Sequence, residues 1–191
     1  MPSVVKDSRR SGRAANGAEA SGVRIRPLAN REDYVACVEL QELIWGAGEE
    51  TIPPIMLQVS QKVGAIAAGA FDRQGRMLGC VFGLTGLRNG RVAHWSHLLA
   101  VRPEARDQGI GRRLKRYQRS RLLAKGVTTM YWTFDPLVAR NAHLNLNRLG
   151  AVVVEYKQNP RYPGHDDIPL LVLLNARVTR AGEEEEAAWE D

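Results

Sequence analysis

The apolar residues form strand-like and helical patterns from about residue 22 onward. Val23–Arg26 alternates like a strand, and helical spacing follows from Arg31 to Ile44, with Asn30 as the cap. Two prolines open a second helix, predicted over Ile55–Gln61, because proline is tolerated in a first turn. The chain therefore starts as a strand and two helices.

Three apolar segments come next, and turn residues separate them. Strands are predicted over Gly64–Phe71, Met77–Leu87 and Val92–Val101. Asn89-Gly90 between the last two is a hairpin signal. These segments predict an antiparallel meander.

Helices and strands alternate in the second half of the chain. The predicted elements are a helix over Gly109–Lys125, a strand over Thr128–Phe134, a helix over Val138–Leu149, and strands over Ala151–Tyr156 and Ile168–Asn175. The predicted order is β-α-α-β-β-β-α-β-α-β-β. This order indicates an α+β fold, with a mixed, mostly antiparallel sheet of about seven strands flanked by about four helices.

Both ends of the chain lack such patterns. Residues 1–21 hold few large apolar residues and predict a disordered basic tail, while residues 176–191 contain the acidic run Glu183–Glu186 and predict a solvated acidic tail. One domain is expected over residues 22–175. No apolar run approaches the roughly 20 residues of a membrane span, so we expect a cytoplasmic protein without a membrane partner.

The two cysteines, Cys37 and Cys80, sit inside apolar patterns. Buried reduced thiols are therefore predicted rather than a disulfide or a metal site.

The net charge of +6 is concentrated in one segment. Between residues 106 and 125 a single acid, Asp107, faces eight basic residues: Arg106, Arg112, Arg113, Lys115, Arg116, Arg119, Arg121 and Lys125. Such a cluster favours a phosphate-bearing cofactor, a nucleic acid or an acidic protein, or it is a solvated helix face. Arg116, Arg119 and Lys125 lie more than a turn from the start of the helix and are expected in solvent.

Two glycines open this basic helix, although glycine is a poor helix former. The free N–H groups at the start of a helix, together with its dipole, form an anion site. Gly109 and Gly111 would let a phosphate reach them, and Arg106 and Arg112 add charge. A third glycine and a Gly-Lys-Ser/Thr sequence are both missing, which excludes a Rossmann site and a P-loop.

The pattern Arg-x-x-Gly-x-Gly directly after an apolar strand, within Leu98–Gly111, resembles the coenzyme A signature of the GNAT superfamily of acyltransferases. The order of elements from about residue 23 to 174 is similar to that family too, and Asp135-Pro136 with Asn141-Ala142-His143 resembles a little-described bacterial branch. The resemblance implies acetyl-CoA or another acyl-CoA as co-substrate. The backbone from Arg106 to Gly111 would hold its pyrophosphate, and the strand before it would pair with the pantetheine arm. With Asn141, which lies near a helix start, the expected cofactor-binding residues are Leu99, Ala100, Val101, Arg106, Asp107, Gln108, Gly109, Ile110, Gly111, Arg112 and Asn141.

Transfer of an acyl group to an amine needs a base, and a histidine suits that role. Alternation predicts that His97 shares a strand face with Trp95 and Leu99, whereas His94 and Ser96 occupy the other face. His97 also resembles a cleft histidine of the arylalkylamine branch. We therefore predict that His97 is the base or a water relay, although a buried structural histidine fits equally; His94 is predicted to be structural.

The resemblance does not extend to the residue that serves as general acid. Many family members carry a tyrosine on the helix after the fifth strand, and that position aligns with Leu146. The sequence predicts no replacement for it.

These features favour an N-acyltransferase that moves an acetyl, succinyl or other short acyl group to a small-molecule amine or amino acid. One alternative is a coenzyme A-binding regulator without turnover, which the Leu146 position suggests. A nucleic-acid module is disfavoured because the basic helix lacks interleaved aromatic residues. The acceptor pocket is expected in Leu43–Leu57, which includes Trp45, and a homodimer stays open.

Overall fold

The computed structural model describes residues 22–47, 51–157 and 171–177. Its sheet has the order β1-β2-β3-β4-β5-β7-β6, and all neighbours are antiparallel except β4 and β5. The predicted α+β class, with a mostly antiparallel mixed sheet, is confirmed. The strands are β1 (Arg24–Pro27), β2 (Ile66–Phe71), β3 (Met77–Arg88), β4 (Arg91–Val101), β5 (Thr129–Phe134), β6 (Val152–Lys157) and β7 (Leu171–Arg177).

The predicted tail over residues 1–21 lies outside the described residues, as do residues 168–170 of the predicted last strand. Strand β7 continues to Arg177, so it includes the first two residues of the predicted acidic tail. The rest of that tail also lies outside the described part of the chain.

Helices cover both faces of the sheet. Leu40 and Leu57 belong to the core cluster beneath α1 and α2, and Leu114 and Leu122 pack beneath α3 on the opposite face. Asn30 caps α1 as predicted, since its Oδ1 accepts a hydrogen bond of 2.9 Å from the N–H of Asp33. The helices are α1 (Arg31–Trp45), α2 (Pro54–Lys62), α3 (Ile110–Ala124) and α4 (Ala139–Ala142).

The helix predicted over Val138–Leu149 is not a continuous α-helix. Helix α4 ends at Ala142, and a π-helical segment, His143–Arg148, follows. Asn145 in this segment is buried, and its Oδ1 accepts a hydrogen bond of 2.8 Å from Trp132 Nε1. This hydrogen bond anchors the segment on β5 at the place where the backbone forms the wider π-helical turn. Sequence periodicity cannot reveal such a tertiary contact.

The two cysteines are free thiols buried in the core, as predicted. A hydrogen bond with Cys37 and desolvation both raise the pKa of Cys80 well above its usual value. The Cys80 thiol therefore stays protonated, and both cysteines serve as core packing.

A β-bulge on β4 changes which side chains share a face. Phe82 pairs with Leu98 and Gly83 pairs with Ser96, so His97 has no partner on β3. Before the bulge, Ser96 contacts α3 residues; after it, Leu99 packs beneath α3 and Leu98 packs beneath α1 and α2. The predicted strict alternation from Trp95 to Val101 is therefore wrong, because the extra residue moves the side chains that follow it to the opposite face of the strand.

One ion pair ties β1 to α1 and predicts a pH-dependent stability. Arg26 donates to both carboxylate oxygens of Asp33 at 2.5 and 2.9 Å, and the N–H of Ala29 donates to Oδ2 at 2.9 Å. Burial alone would raise the pKa of Asp33, but these hydrogen bonds outweigh it and lower the pKa. The ionised carboxylate thus stabilises the fold above its unfolded pKa, and the contribution is lost as the pH falls through the folded pKa.

We expect Asp33→Asn to lower the free energy of unfolding at pH 7 by roughly 1–3 kcal/mol, the usual range for hydrogen bonds to a charged group. Urea unfolding of both proteins should show the difference shrinking as the pH falls below the ordinary pKa of an aspartate and through the lowered folded pKa, where the wild-type carboxyl also becomes protonated. A difference that stays constant with pH would contradict this account of the pair.

Candidate functional site

Strands β4 and β5 are paired at only two positions and then separate. The pairs are His94 with Met130 and Trp95 with Tyr131. Beyond them β4 stays paired with β3 as far as Val101, and β5 stays paired with β7 as far as Phe134. Over the described length of both strands, the backbone groups that β4 turns toward β5 thus lack a strand partner past this point. Such an opening, called the split below, can accept an extended chain with amide groups.

A cavity of about 530 Å³ lies at the wide end of the split. This volume falls in the usual range for small-molecule sites. It is bounded by the end of β4, the turn before α3, and α4 with the π-helical segment. Ten residues predicted from the sequence line it together: Leu99, Ala100, Val101, Arg106, Asp107, Gly109, Ile110, Gly111, Arg112 and Asn141.

Two predicted residues do not line this cavity. Gln108 is exposed, and its Nε2 donates to the carbonyl of Glu104 at 3.3 Å. His97 is also exposed and lies at the bulge, deeper along β4 than the lining residues. Desolvation of its ring lowers the pKa of His97 below its ordinary 6.5, which favours the neutral imidazole.

The cavity contains the start of α3. The first backbone hydrogen bond here runs from the N–H of Arg113 to the carbonyl of Gly109 at 3.0 Å, and no side chain caps the helix. The N–H groups of Ile110 and Gly111 precede that bond, so they have no acceptor within the helix. Together with the helix dipole they form a site for an anion.

The two glycines border open space. Gly109 has a φ of +71°, and a Cβ atom built there would meet nothing within 4 Å. A Cβ on Gly111 would lie 3.8 Å from the side chains of Leu99, Val101 and Leu144, an ordinary contact. Tight packing of helix on sheet therefore does not explain these glycines. The left-handed φ accounts for the glycine at position 109, and both glycines leave the start of α3 accessible from the cavity.

The basic residues of this region divide into two groups. Arg102 donates to the carbonyl of Met77 and Arg113 to the carbonyl of Val23, both at 2.7 Å, so these two tie the fold together. The other group lines the cavity and makes it cationic: Arg106, Arg112, Arg140 and Arg148. The sequence analysis did not predict Leu144 and Arg148 as lining residues. Arg140, Leu144 and Arg148 follow one another at intervals of four residues, a spacing that indicates one helix face.

Lys115 is buried, so the basic segment is not solvated throughout, which was one of the alternatives that the sequence left open. It is 3% exposed, and its Nζ donates a hydrogen bond of 2.6 Å to Ser96 Oγ. The same ammonium lies 4.5 Å from the centre of the Trp132 ring. Helical spacing gave a signal for this burial, since Lys115 falls beside Leu114 and Gln118 on the face turned to the sheet.

A chain of hydrogen bonds continues from Ser96 beneath α3. Ser96 Oγ donates to Gln118 Oε1 at 2.7 Å, and Gln118 Nε2 lies 3.0 Å from His94 Nε2. Thr85 Oγ1 lies 2.9 Å from His94 Nδ1. Desolvation and the positive charge of Lys115 lower the pKa of His94 to about 4, so His94 is a neutral, fully bonded residue of the core. Its predicted structural role agrees with this geometry.

The opposite face of the sheet carries a second cluster where β4 and β5 are still paired. The rings of Trp95 and Tyr131 stack with centroids 6.5 Å apart, and Arg88 Cζ lies 4.2 Å from the centre of the Tyr131 ring. Arg88 Nη2 is 3.8 Å from Glu155 Oε2, while its Nη1 is buried without a hydrogen-bond partner. A planar or acidic group could meet this cluster.

None of the helices in the described ranges is long and apolar enough to cross a membrane. Across the same residues, His, Cys, Asp and Glu side chains form no group of three that could hold a metal ion.

No family model and no curated protein matches the sequence. Solved structures do match the fold. The ribosomal-protein-S18-alanine N-acetyltransferase from Escherichia coli is 20% identical with a TM-score of 0.63, and the match covers 84% of this chain and 97% of that one. A putative acetyltransferase from Salmonella typhimurium, solved with its cofactor acetyl-CoA, is 18% identical with a TM-score of 0.65, covering 84% and 96%.

An acetyltransferase of the GNAT family from Streptococcus pneumoniae gives a TM-score of 0.65 at 17% identity, with 81% of this chain and 99% of that chain covered. The chain has the fold of the GNAT acetyltransferases.

Proposed function

We propose that this chain is an acyl-CoA-dependent N-acyltransferase. One observation carries the proposal: the split between β4 and β5 opens into a cationic cavity that contains a glycine-lined helix start. A coenzyme A thioester has the matching parts, namely a diphosphate and an extended arm with two amide groups. The Salmonella neighbour, solved with acetyl-CoA, supports the same donor.

The chain's own residues would hold the donor from both ends. Backbone N–H groups of Ile110 and Gly111 would meet the diphosphate, and Arg106 and Arg112 would offset its charge. The backbone of β4 from Leu99 to Val101 would pair with the amides of the arm, as an added strand does. Asn141 lines the same cavity from α4 and would contact the donor from the other side.

The bulge on β4 lies where the acyl group would arrive. His97 has no partner on β3, so its backbone N–H can turn to the carbonyl oxygen of a thioester. Its imidazole is neutral at pH 7 because its pKa is lowered, which suits a base that removes the ammonium proton directly or through water. We therefore keep His97 as the base of the proposed reaction.

The acceptor in this proposal is a small-molecule amine or amino acid. Ile44 and Trp45 at the end of α1 line the cavity, which supports an acceptor site next to the predicted segment Leu43–Leu57. The cluster of Arg88, Trp95 and Tyr131 borders the paired end of the split and favours an acceptor with a planar or carboxylate group. Acetyl is the proposed acyl group, since the matching structures are acetyltransferases, and the expected cytoplasmic location is part of the same proposal.

A coenzyme A-binding regulator without turnover is the second candidate. The described lining of the cavity contains no tyrosine, and Leu146 is 39% exposed and does not reach the cavity. The family's usual proton donor is thus missing from this site, which favours a chain that binds the donor but does not turn it over.

Release of free coenzyme A separates the two candidates. We expect purified protein to release thiol from acetyl-CoA in the presence of one or more members of a panel of the twenty amino acids and simple primary amines. Mass spectrometry should show the product heavier by one acetyl group. Binding of coenzyme A by calorimetry without turnover on any amine would favour the regulator instead, and no binding would contradict both.

A further inference from the structure

Lys115 lies where β4 and β5 part. The last pair between the strands is Trp95 with Tyr131, so Ser96 and Trp132 are the first residues past it. Lys115 Nζ contacts both, at 2.6 Å from Ser96 Oγ and 4.5 Å from the centre of the Trp132 ring. The ammonium therefore sits on the α3 side of the narrow end of the split, which we call the apex.

No carboxylate balances this buried charge among the described residues. The three ion pairs in that part of the chain involve Arg26, Arg76 and Arg88, and none includes Lys115. Its neighbours in the hydrogen-bond chain, Ser96 and Gln118, are neutral, and His94 beyond them is neutral as well. A buried cation without a counter-charge costs folding free energy, and such groups concentrate at functional sites. An anion that forms only during the reaction would explain it.

We propose that Lys115 is the cation and proton donor that receives the leaving thiolate of the acyl donor. The inference rests on the function proposed above. The bulge shortens the path along β4, because Val101 at the cavity pairs with Gly79 and Ser96 at the apex pairs with Gly83. Four strand steps of roughly 3.3 Å, or about 13 Å, therefore separate cavity and apex, which is within reach of an extended pantetheine arm. A donor anchored at Gly111 and lying along β4 therefore brings its sulfur to the apex.

The step conserves atoms and charge. The acceptor nitrogen forms a bond to the thioester carbonyl carbon and gives a tetrahedral adduct. The carbon–sulfur bond then breaks, and its electron pair goes to sulfur. A proton moves from Lys115 Nζ to that sulfur, so coenzyme A leaves as the free thiol and Lys115 becomes neutral. The amide loses its extra proton to His97 or water, and Lys115 regains a proton from solvent once the product has left.

The electrostatics of the buried site agree with this role. Desolvation lowers the pKa of Lys115 from its usual value to about 7. At neutral pH the group can therefore give up a proton to a thiolate and take one back, which an ordinary lysine does poorly. The adjacent Trp132 ring holds the cation in place without neutralising it.

The experiment compares two donors in the Lys115→Met variant. Methionine is unbranched and only one atom shorter than lysine, and it removes a buried charge, so thermal unfolding should stay near the wild-type temperature or rise. With acetyl-CoA and the best acceptor from the amine panel, we expect kcat to fall about 30-fold or more. With the acetyl selenoester of seleno-coenzyme A, whose selenolate leaves without a proton, we expect a loss below about 3-fold. The Kd for coenzyme A should change less than twofold.

Two further variants complete the test. Arg121→Met removes an exposed cation from the same helix and should leave both donors unaffected. Lys115→Arg keeps the charge but cannot donate a proton, so its kcat with acetyl-CoA should also fall. Equal losses with both donors, full activity of Lys115→Met or Lys115→Arg, or a lost affinity for coenzyme A would each overturn the inference while wild-type turnover upholds the function. A wild-type protein without turnover would overturn the function and this inference together.

Discussion

Gly109→Asp is expected to weaken coenzyme A binding by about 100-fold or more, because two like charges about 4 Å apart in a partly buried site repel by about 4 kcal/mol. The new carboxylate would occupy the open space in front of the first N–H groups of α3. It would also act as a local acceptor for those N–H groups and compete with the diphosphate. Calorimetric titration with coenzyme A measures the change.

Gly126→Asp is the matched control for this variant. Gly126 follows the other end of α3 and has a φ of +72°, against +71° for Gly109, and a Cβ atom at either position meets nothing within 4 Å. Both variants therefore carry the same backbone strain, of about 1 kcal/mol. A carboxylate caps α3 at position 109 but opposes the helix dipole at position 126, so Gly126→Asp should lower the unfolding temperature at least as much as Gly109→Asp. Wild-type affinity in Gly109→Asp, or an equal loss of affinity in both variants, would show that the diphosphate does not bind at this helix start.

Gly83→Ala is expected to have the largest effect on stability. Gly83 lies opposite the bulge, paired with Ser96, and a Cβ atom there would lie 2.6 Å from the carbonyl oxygen of Trp95 and would overlap the ring of His94. His94 cannot move aside without losing its hydrogen bonds to Gln118 and Thr85. We expect the free energy of unfolding to fall by about 3 kcal/mol or more, from overpacking and from the broken buried hydrogen bonds.

Gly86→Ala, three residues further along β3, provides the comparison. A Cβ atom at Gly86 meets nothing within 4 Å, and the residue is exposed. This substitution should leave the stability unchanged or raise it by about 0.5 kcal/mol, since alanine is less flexible than glycine in the unfolded chain. Urea unfolding of both variants decides the matter, and similar midpoints would show that the bulge does not depend on a glycine at position 83.

The sequence predicted the order of the elements and most of their bounds. Alternating and helical spacings are local, so β1, the meander and α3 were recognisable from the apolar positions alone. The role of the glycines at the start of α3 was also predictable from the sequence, because any helix that begins after an apolar strand exposes free N–H groups at its start. Ten of the predicted binding residues consequently line one cavity.

The bulge, the π-helical segment and the burial of Lys115 were not predicted. Each depends on a partner distant in sequence: Gly83 opposite Ser96, Trp132 bonded to Asn145, and Ser96 beneath α3. A pattern of period two or 3.6 does not include such contacts, so strict alternation put Trp95 and Leu99 on one strand face although a bulge lies between them. Helical spacing put Lys115 beside Leu114 and Gln118 but could not show its contacts with Ser96 and Trp132. A bulge shifts the alternation by one residue, and only the pairing with the neighbouring strand shows at which residue the shift occurs.

The sequence by itself thus determined which segments become strands and helices, and that one helix begins with an exposed anion site. Tertiary structure alone decided where β4 leaves β5, which side chains meet at that apex, and that an unbalanced ammonium lies there. The reason is physical: local patterns fix backbone conformation through short-range sterics and hydrogen bonds, whereas desolvation and charge balance depend on what the rest of the chain packs against each group.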